Sequence, residues 1–244
     1  MEVLEKAEAY VEKDGDFFFD FTKFILRKDD QLYYARVHQK LPGALENLDT
    51  LHAKPIPTEH IWPLFSANTT RVLEPLPSNC FIKQPSLLDY GDHEAALHID
   101  EQVMEEVTVC ELLKNNPHPN IATYLGCIEK AGRIGGICFV KYPINLQQLM
   151  DAKLPMDPKT IIEGIESGIQ HIHRLGLIHN DINPSNVMIT SEGNPVIIDF
   201  ESCRHKGEEL GPKAGTYGWE LAEAKHALPA NDFYGLSKIK ELLS

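Results

Sequence analysis

Residues 177–202, LIHNDINPSNVMITSEGNPVIIDFES, bring His179, Asp181, Asn186 and Asp199 into one short window. Two carboxylates 18 residues apart, with a carboxamide between them, offer oxygen donors. Hard divalent cations such as Mg²⁺ prefer oxygen donors and keep phosphate and water in their remaining positions. The apolar runs before each carboxylate say how these donors are held. LGLIHND ends such a run on His-Asn-Asp, which places Asp181 in a loop at the edge of a packed core. NVMIT and NPVIIDF read as two strands with SEGN as the turn between them. A hairpin of that kind sets Asn186 at the start of one strand and Asp199 at the end of the next, facing one cleft. The constellation fits a metal-nucleotide site, whereas an isolated H-x-D would be no more than a loop His with a capping Asp.

The surrounding elements follow from periodicity. Val3, Leu4, Ala7, Tyr10 and Val11 lie at helical spacing and predict a helix over residues 2–13. FFFDFTKFILRKDDQLYYARV predicts two strands around the charged turn RKDDQ. Residues 41–79 are rich in Pro, Asn, Thr and Ser and predict loop. CFIK is a short strand, and a helix near 99–114 has Val103, Val107, Cys110 and Leu113 along one face. IATYLGCIE and GGICFVKYP are strand-like, separated by KAGR. A helix over about 158–175 carries Ile161, Ile162, Ile165, Ile169 and Ile172 on one stripe, with Gly176 as its stop. Strands first and helices later predict an α+β fold in two lobes.

Bulk properties narrow the function classes. A chain of 244 residues suffices for one domain with a sizeable core or two small lobes. With 43% hydrophobic and 24% charged residues, neither a disordered nor a membrane class is indicated. A net charge of −13 with no basic stretch argues against a nucleic-acid partner. Cys80, Cys110, Cys127, Cys138 and Cys203 form no C-x-x-C pair and sit mostly in apolar stretches, which suits core thiols in a reducing, intracellular, cytoplasmic setting. No export signal or membrane span is expected. The histidines lack zinc-type spacing with the cysteines and are read as surface or core residues.

The window resembles the eukaryotic-type protein kinase family. HNDINPSN is similar to that family's H-R-D-x-x-x-x-N loop and DFE to its D-F-G. The resemblance implies a catalytic base at Asp181, Mg²⁺ held by Asn186 and Asp199 against the phosphates of ATP, and a structural His179. CFIK resembles the strand bearing the phosphate-binding lysine, which makes Lys83 the candidate. In EEVTVCELLKNNPHPNI, Glu106 stands where the family has the glutamate that pairs with that lysine, with Glu105 as the register alternative. ICFVKYP resembles the strand leading to the hinge, with Val140 flanking the adenine pocket and the Lys141–Tyr142 backbone facing adenine. GTYGWE is similar to the stretch ending in A-P-E, and NDFYGL to the start of the large buried C-lobe helix. The implied fold is α+β and two-lobed, with a small β-rich N-lobe over 61–143 and a truncated helical C-lobe over 144–244. Residues 1–60 would be an N-terminal extension or additional small-lobe elements.

The departures from the family pattern are as informative. No G-x-G-x-x-G precedes CFIK; WPLFSANTTRVLEPLPSN contains no Gly. Backbone N–H groups over the β- and γ-phosphates are therefore not assured. Asn180 replaces the Arg that reads a phosphorylated activation loop, which predicts activity independent of phosphorylation at Ser202 or Thr216. Asn183 stands where serine/threonine kinases have a Lys, and Glu201 where D-F-G has its Gly. The chain ends 12 residues after Asp232, so later C-lobe helices, and with them a downstream Arg partner for Glu220, are expected to be missing. Three readings follow: a protein kinase acting on Ser or Thr hydroxyls, a pseudokinase serving as a binding or scaffold module, and a small-molecule phosphotransferase like aminoglycoside or choline kinases. ATP is the expected ligand, with a protein substrate or scaffold partner and neither nucleic acid nor membrane.

Overall fold

A computed structural model describes residues 1–40, 51–211 and 215–244, which fall into two compact units. The first comprises residues 1–65, 84–104 and 131–134. The expected loop at 41–79 lies partly outside the described residues, at 41–50; the rest is mainly irregular. A four-stranded antiparallel sheet dominates this unit, ordered β1 (Glu2–Lys13), β2 (Asp16–Lys28), β3 (Gln31–Val37) and β4 (Lys54–Ile56). The helix predicted over 2–13 is thus a strand. Its Ala, Glu, Lys and Leu content suits a helix, but the next two residues decide otherwise. Asp14 and Gly15 have φ of 56° and 86°, the left-handed backbone a two-residue hairpin turn needs at both central positions. The turn lays β1 along the aromatic and β-branched β2, from Lys13 opposite Asp16 to Glu2 opposite Arg27. Cross-strand pairing then outweighs local helical propensity. Phe24, Leu26 and Ala35 form a buried cluster in the sheet. Buried Lys23 donates to the Tyr90 carbonyl and to Asp92, each at 2.6 Å, which ties the 90–92 loop to the sheet.

The second unit comprises residues 66–83, 105–130 and 135–244. Strand β5 (Cys80–Lys83), helix α1 (Ile99–Asn115), β6 (Tyr124–Lys130) and β7 (Arg133–Val140) follow the sequence expectation to within a few residues. The sheet order is β5-β7-β6, which leaves β5 at an edge. Next come β8 (Ile144–Asn145) and α2 (Leu146–Asp151), a short helix that periodicity missed. Its signal was local: Asn145 and Gln148 form a reciprocal capping box. Helix α3 (Pro158–Arg174) begins on the Asp157 cap with Pro158 in its first turn, and buries Ile161, Ile165, Ile169 and Ile172 of the expected stripe, with Ile162 half-buried.

After α3, β9 (Leu177–Ile178) leads into the loop that carries Asp181. The predicted hairpin is β10 (Val187–Ile189) and β11 (Pro195–Ile197), with Val187 opposite Ile197. Strand β12 (Arg204–His205) returns to pair with β9, and α4 (Pro229–Leu242) follows. The five cysteines are free thiols, four of them buried. Among the described residues no helix is long and apolar enough to cross a membrane.

Candidate active site

The loop from His179 to Asn186 is fixed from beneath. Asp232, fully buried in α4, accepts from the backbone N–H of His179 at 3.0 Å and of Asn180 at 2.7 Å, and its Oδ2 lies 2.7 Å from His173 Nε2. Buried Asn231 donates to the Asn180 side-chain oxygen at 3.0 Å. Gly235 lets α4 approach the loop closely, because a Cβ at that position would collide with the Ile182 carbonyl. His179 is wholly buried; its Nδ1 accepts from the Asp181 N–H and its Nε2 donates to the Ile198 carbonyl, which couples the loop to the end of β11. The rings of His179 and buried Phe200 meet edge to face at 5.8 Å. Asn180 and Asp199 both have positive φ, 64° and 65°, a conformation that Asn and Asp tolerate better than other residues with a side chain.

Both oxygens of Asp181 are engaged. Oδ1 accepts from the Thr216 N–H at 2.8 Å and from Asn183 Nδ2 at 2.9 Å; Oδ2 accepts from Asn186 Nδ2 at 2.7 Å and from the Thr216 hydroxyl at 3.2 Å. The Asn186 amide nitrogen is thereby turned to Asp181, while the Ile198 N–H binds the Asn186 carbonyl at 3.0 Å and holds the mouth of the hairpin together. Asn186 and the Asp199 region sit at that mouth. Among the described residues no group of three or more His, Cys, Asp or Glu is suited to hold a metal ion. A cation here would rest on Asn186, Asp199 and oxygens supplied by its ligand, a donor set that fits Mg²⁺.

Lys83, at the end of β5, is surrounded by carboxylates. Its Nζ lies 2.7 Å from Glu106 Oε1, 2.8 Å from Asp199 Oδ1 and 3.4 Å from Glu201 Oε1. Of the two register alternatives, Glu106 is the partner; Glu105 pairs with Arg204 at 3.2 Å instead. Burial works to lower the Lys83 pKa, but the three carboxylates outweigh it and hold the ammonium well above its ordinary range. Burial pushes the Glu106 carboxyl up to about 7 in spite of the adjacent ammonium, with the Asp199 and Glu201 charges adding to the rise. At Asp199 burial has the same sense, but the Lys83 ammonium prevails and holds the carboxyl below its usual value. Three carboxylates share one cation, and of Glu106 and Asp199 the more buried Glu106 takes up a proton more readily.

Beside this cluster lies an apolar cavity of about 380 Å³. Of the residues expected to bind the cofactor, Val140, Lys141, Tyr142, Lys83 and Asp199 line it and Asn186 does not; Phe81, Phe139, Ala122, Met188 and Ile198 complete the lining. The Lys141 N–H is donated to the Asn79 carbonyl at 2.6 Å, so that peptide has only its carbonyl to offer a ligand. The glycine-free stretch before β5 bonds along β6: Val72 N–H to the Cys127 carbonyl, Cys127 N–H to the Thr70 carbonyl. Sequence reasoning did not find the Thr216 contacts or the reach of Glu201 to Lys83. Nor did it find Phe81, although the two-residue strand period puts Phe81 and Lys83 on one face of β5.

Fold and site together define a protein-kinase-like chain, and comparison with known proteins agrees. The protein kinase domain family model matches residues 89–236, more than half of the chain, and the chain belongs to this family. It is 26% identical over 138 residues to the human serine/threonine-protein kinase/endoribonuclease IRE2, covering 48% of this chain and 14% of that protein. The cytokinesis protein sepH of Aspergillus terreus is 29% identical over 173 residues, 64% of this chain and 11% of its own length. The serine/threonine-protein kinase PknK of Mycobacterium tuberculosis is 28% identical over 132 residues, 49% of this chain and 12% of its own. The chain thus spans a small part of each of these relatives.

Proposed function

We propose that the chain binds ATP with Mg²⁺ and transfers the γ-phosphoryl group to a Ser or Thr hydroxyl of a protein. The observation that carries this reading is the Lys83–Glu106–Asp199 cluster at the edge of an apolar cavity, with Asp181 anchored on the neighbouring loop. In this account the adenine occupies the cavity lined by Phe81, Val140 and Met188. Lys83 binds the phosphates, and buried Glu106 orients Lys83. Asn186 and Asp199 would hold Mg²⁺, which supplies positive charge to the transferring phosphoryl group. Asp181 positions the acceptor hydroxyl and receives its proton, while Asn183 and Thr216 fix the Asp181 carboxylate. The relatives named as serine/threonine kinases favour a protein hydroxyl as acceptor.

The second reading, a pseudokinase module that binds without turnover, is favoured by two observations. Thr216 occupies both oxygens of Asp181, and the stretch before β5 lies along β6. Incubation with radiolabelled ATP, MgCl₂ and a Ser/Thr-rich protein such as casein separates the two. The kinase reading predicts incorporation that Asp181→Asn reduces by roughly 100-fold or more, the scale on which a general base acts. Nucleotide binding should survive that substitution. Binding without incorporation would leave the pseudokinase reading standing.

A further inference from the structure

Glu201 has no role in the mechanism above, yet its carboxylate reaches the same ammonium as Glu106 and Asp199. It occupies the place of the family pattern's glycine, where no side chain would reach the site. Its Oε1 lies 3.4 Å from Lys83 Nζ, and both side chains are largely sheltered, 24% and 16% exposed. The backbone around it is held: Arg204 donates to the Glu201 carbonyl at 3.1 Å, and the Glu201 N–H approaches Asp199 Oδ1 at 3.4 Å. Arg204 is itself paired with Glu105, so the turn that aims Glu201 is tied to α1.

Resting on the reading of Lys83 as the phosphate-binding lysine, we propose that Glu201 is a positioning residue that holds the Lys83 ammonium until nucleotide phosphates displace it. Glu106 fixes Lys83 from the buried side. Glu201 adds a further anion that a triphosphate must compete with for the ammonium and then stand beside. Opposite charges a few ångströms apart in a sheltered site interact strongly, and like charges there repel with similar strength. Both effects oppose phosphate binding. Neither bears on the adenosine part of the ligand, which the apolar cavity would take up. The chain therefore discriminates less sharply between nucleotides and nucleosides than the same site with a neutral residue at 201.

The experiment is a calorimetric titration of the full chain and of Glu201→Gln with ATP plus MgCl₂ and, separately, with adenosine. The expected result is about tenfold tighter binding of ATP by the variant with adenosine affinity unchanged. Glu163→Gln removes the same charge from an exposed residue paired to Lys159 and not to Lys83, and is expected to leave both affinities within about twofold. If Glu201→Gln fails to fold, Glu201→Ala takes its place with the same expectation. Equal ATP affinity in the full chain and in Glu201→Gln would overturn the inference and leave the nucleotide reading intact. Equal gains for ATP and adenosine, or the same gain from Glu163→Gln, would also overturn it. Absence of ATP binding by every protein would overturn this inference and the proposed function together.

Discussion

The two sides of the candidate site are built in different ways. The loop side, from β9 to β12, is one continuous stretch of chain whose polar groups are bound from below by buried Asp232 and Asn231 and from the side by His179. The strand side is β5, four residues at a sheet edge, with Phe81 52% and Ile82 39% exposed. The loop side keeps its geometry through buried hydrogen bonds. The strand side contributes one ammonium, and that ammonium is held by the loop side's own Asp199 and by α1. Buried hydrogen bonds are thus concentrated around the loop that carries Asp181, and the cavity wall at β5 is left lightly fixed.

That contrast can be broken first at Asp232. Asp232→Ala removes an acceptor from two buried N–H groups and from His173, so a loss of about 3–5 kcal/mol in unfolding free energy is expected. Chemical denaturation measures it. A loss below about 1 kcal/mol would mean that the loop side is not held from below.

The second test uses pH and the most buried member of the Lys83 cluster. Glu106 has a pKa of about 7 in the folded chain against an ordinary 4.5, so the folded state binds its proton more tightly than the unfolded state does. The stability contributed by this group is full below about 4.5 and is lost as pH rises through about 7. The Tm of the native chain, measured from about pH 5 to about pH 7.5, should therefore fall relative to that of Glu106→Gln. A parallel course of the two curves would place the burial cost elsewhere.

The smallest stability effect is expected on the strand side. Phe81→Ala removes a half-exposed ring from an edge strand and should cost roughly 1 kcal/mol or less of stability, because little of its surface leaves water on folding. It should still weaken nucleotide binding, since the ring lines the cavity. A stability loss as large as that of Asp232→Ala would abolish the contrast between the two sides.

The same contrast explains what was legible in the sequence. The loop side is local, so residue types and spacing alone placed Asp181, Asn186 and Asp199 around one hairpin. Lys83 and Glu106 were found only by resemblance, because 23 residues separate them and nothing in periodicity joins a strand end to a helix face. The contacts of Thr216 with Asp181 and of Glu201 with Lys83 escaped for a physical reason: a contact formed by an irregular segment leaves no periodic trace. The strand at 2–13 was misread because its composition favours a helix, and the Asp14–Gly15 turn that overrules composition lies outside that segment.

The central claim is that Asp199 and Lys83 serve a metal-nucleotide site. Its most direct test is the Tm of the native chain and of Asp199→Ala, each with and without millimolar ATP and MgCl₂. A ligand at about 100 times its dissociation constant stabilises the folded state by about 2.7 kcal/mol, which is readily seen as a rise in Tm. The account predicts a magnesium-dependent rise in the native chain that Asp199→Ala loses. An unchanged Tm in a well-folded native chain, or an equal rise in Asp199→Ala, would contradict it.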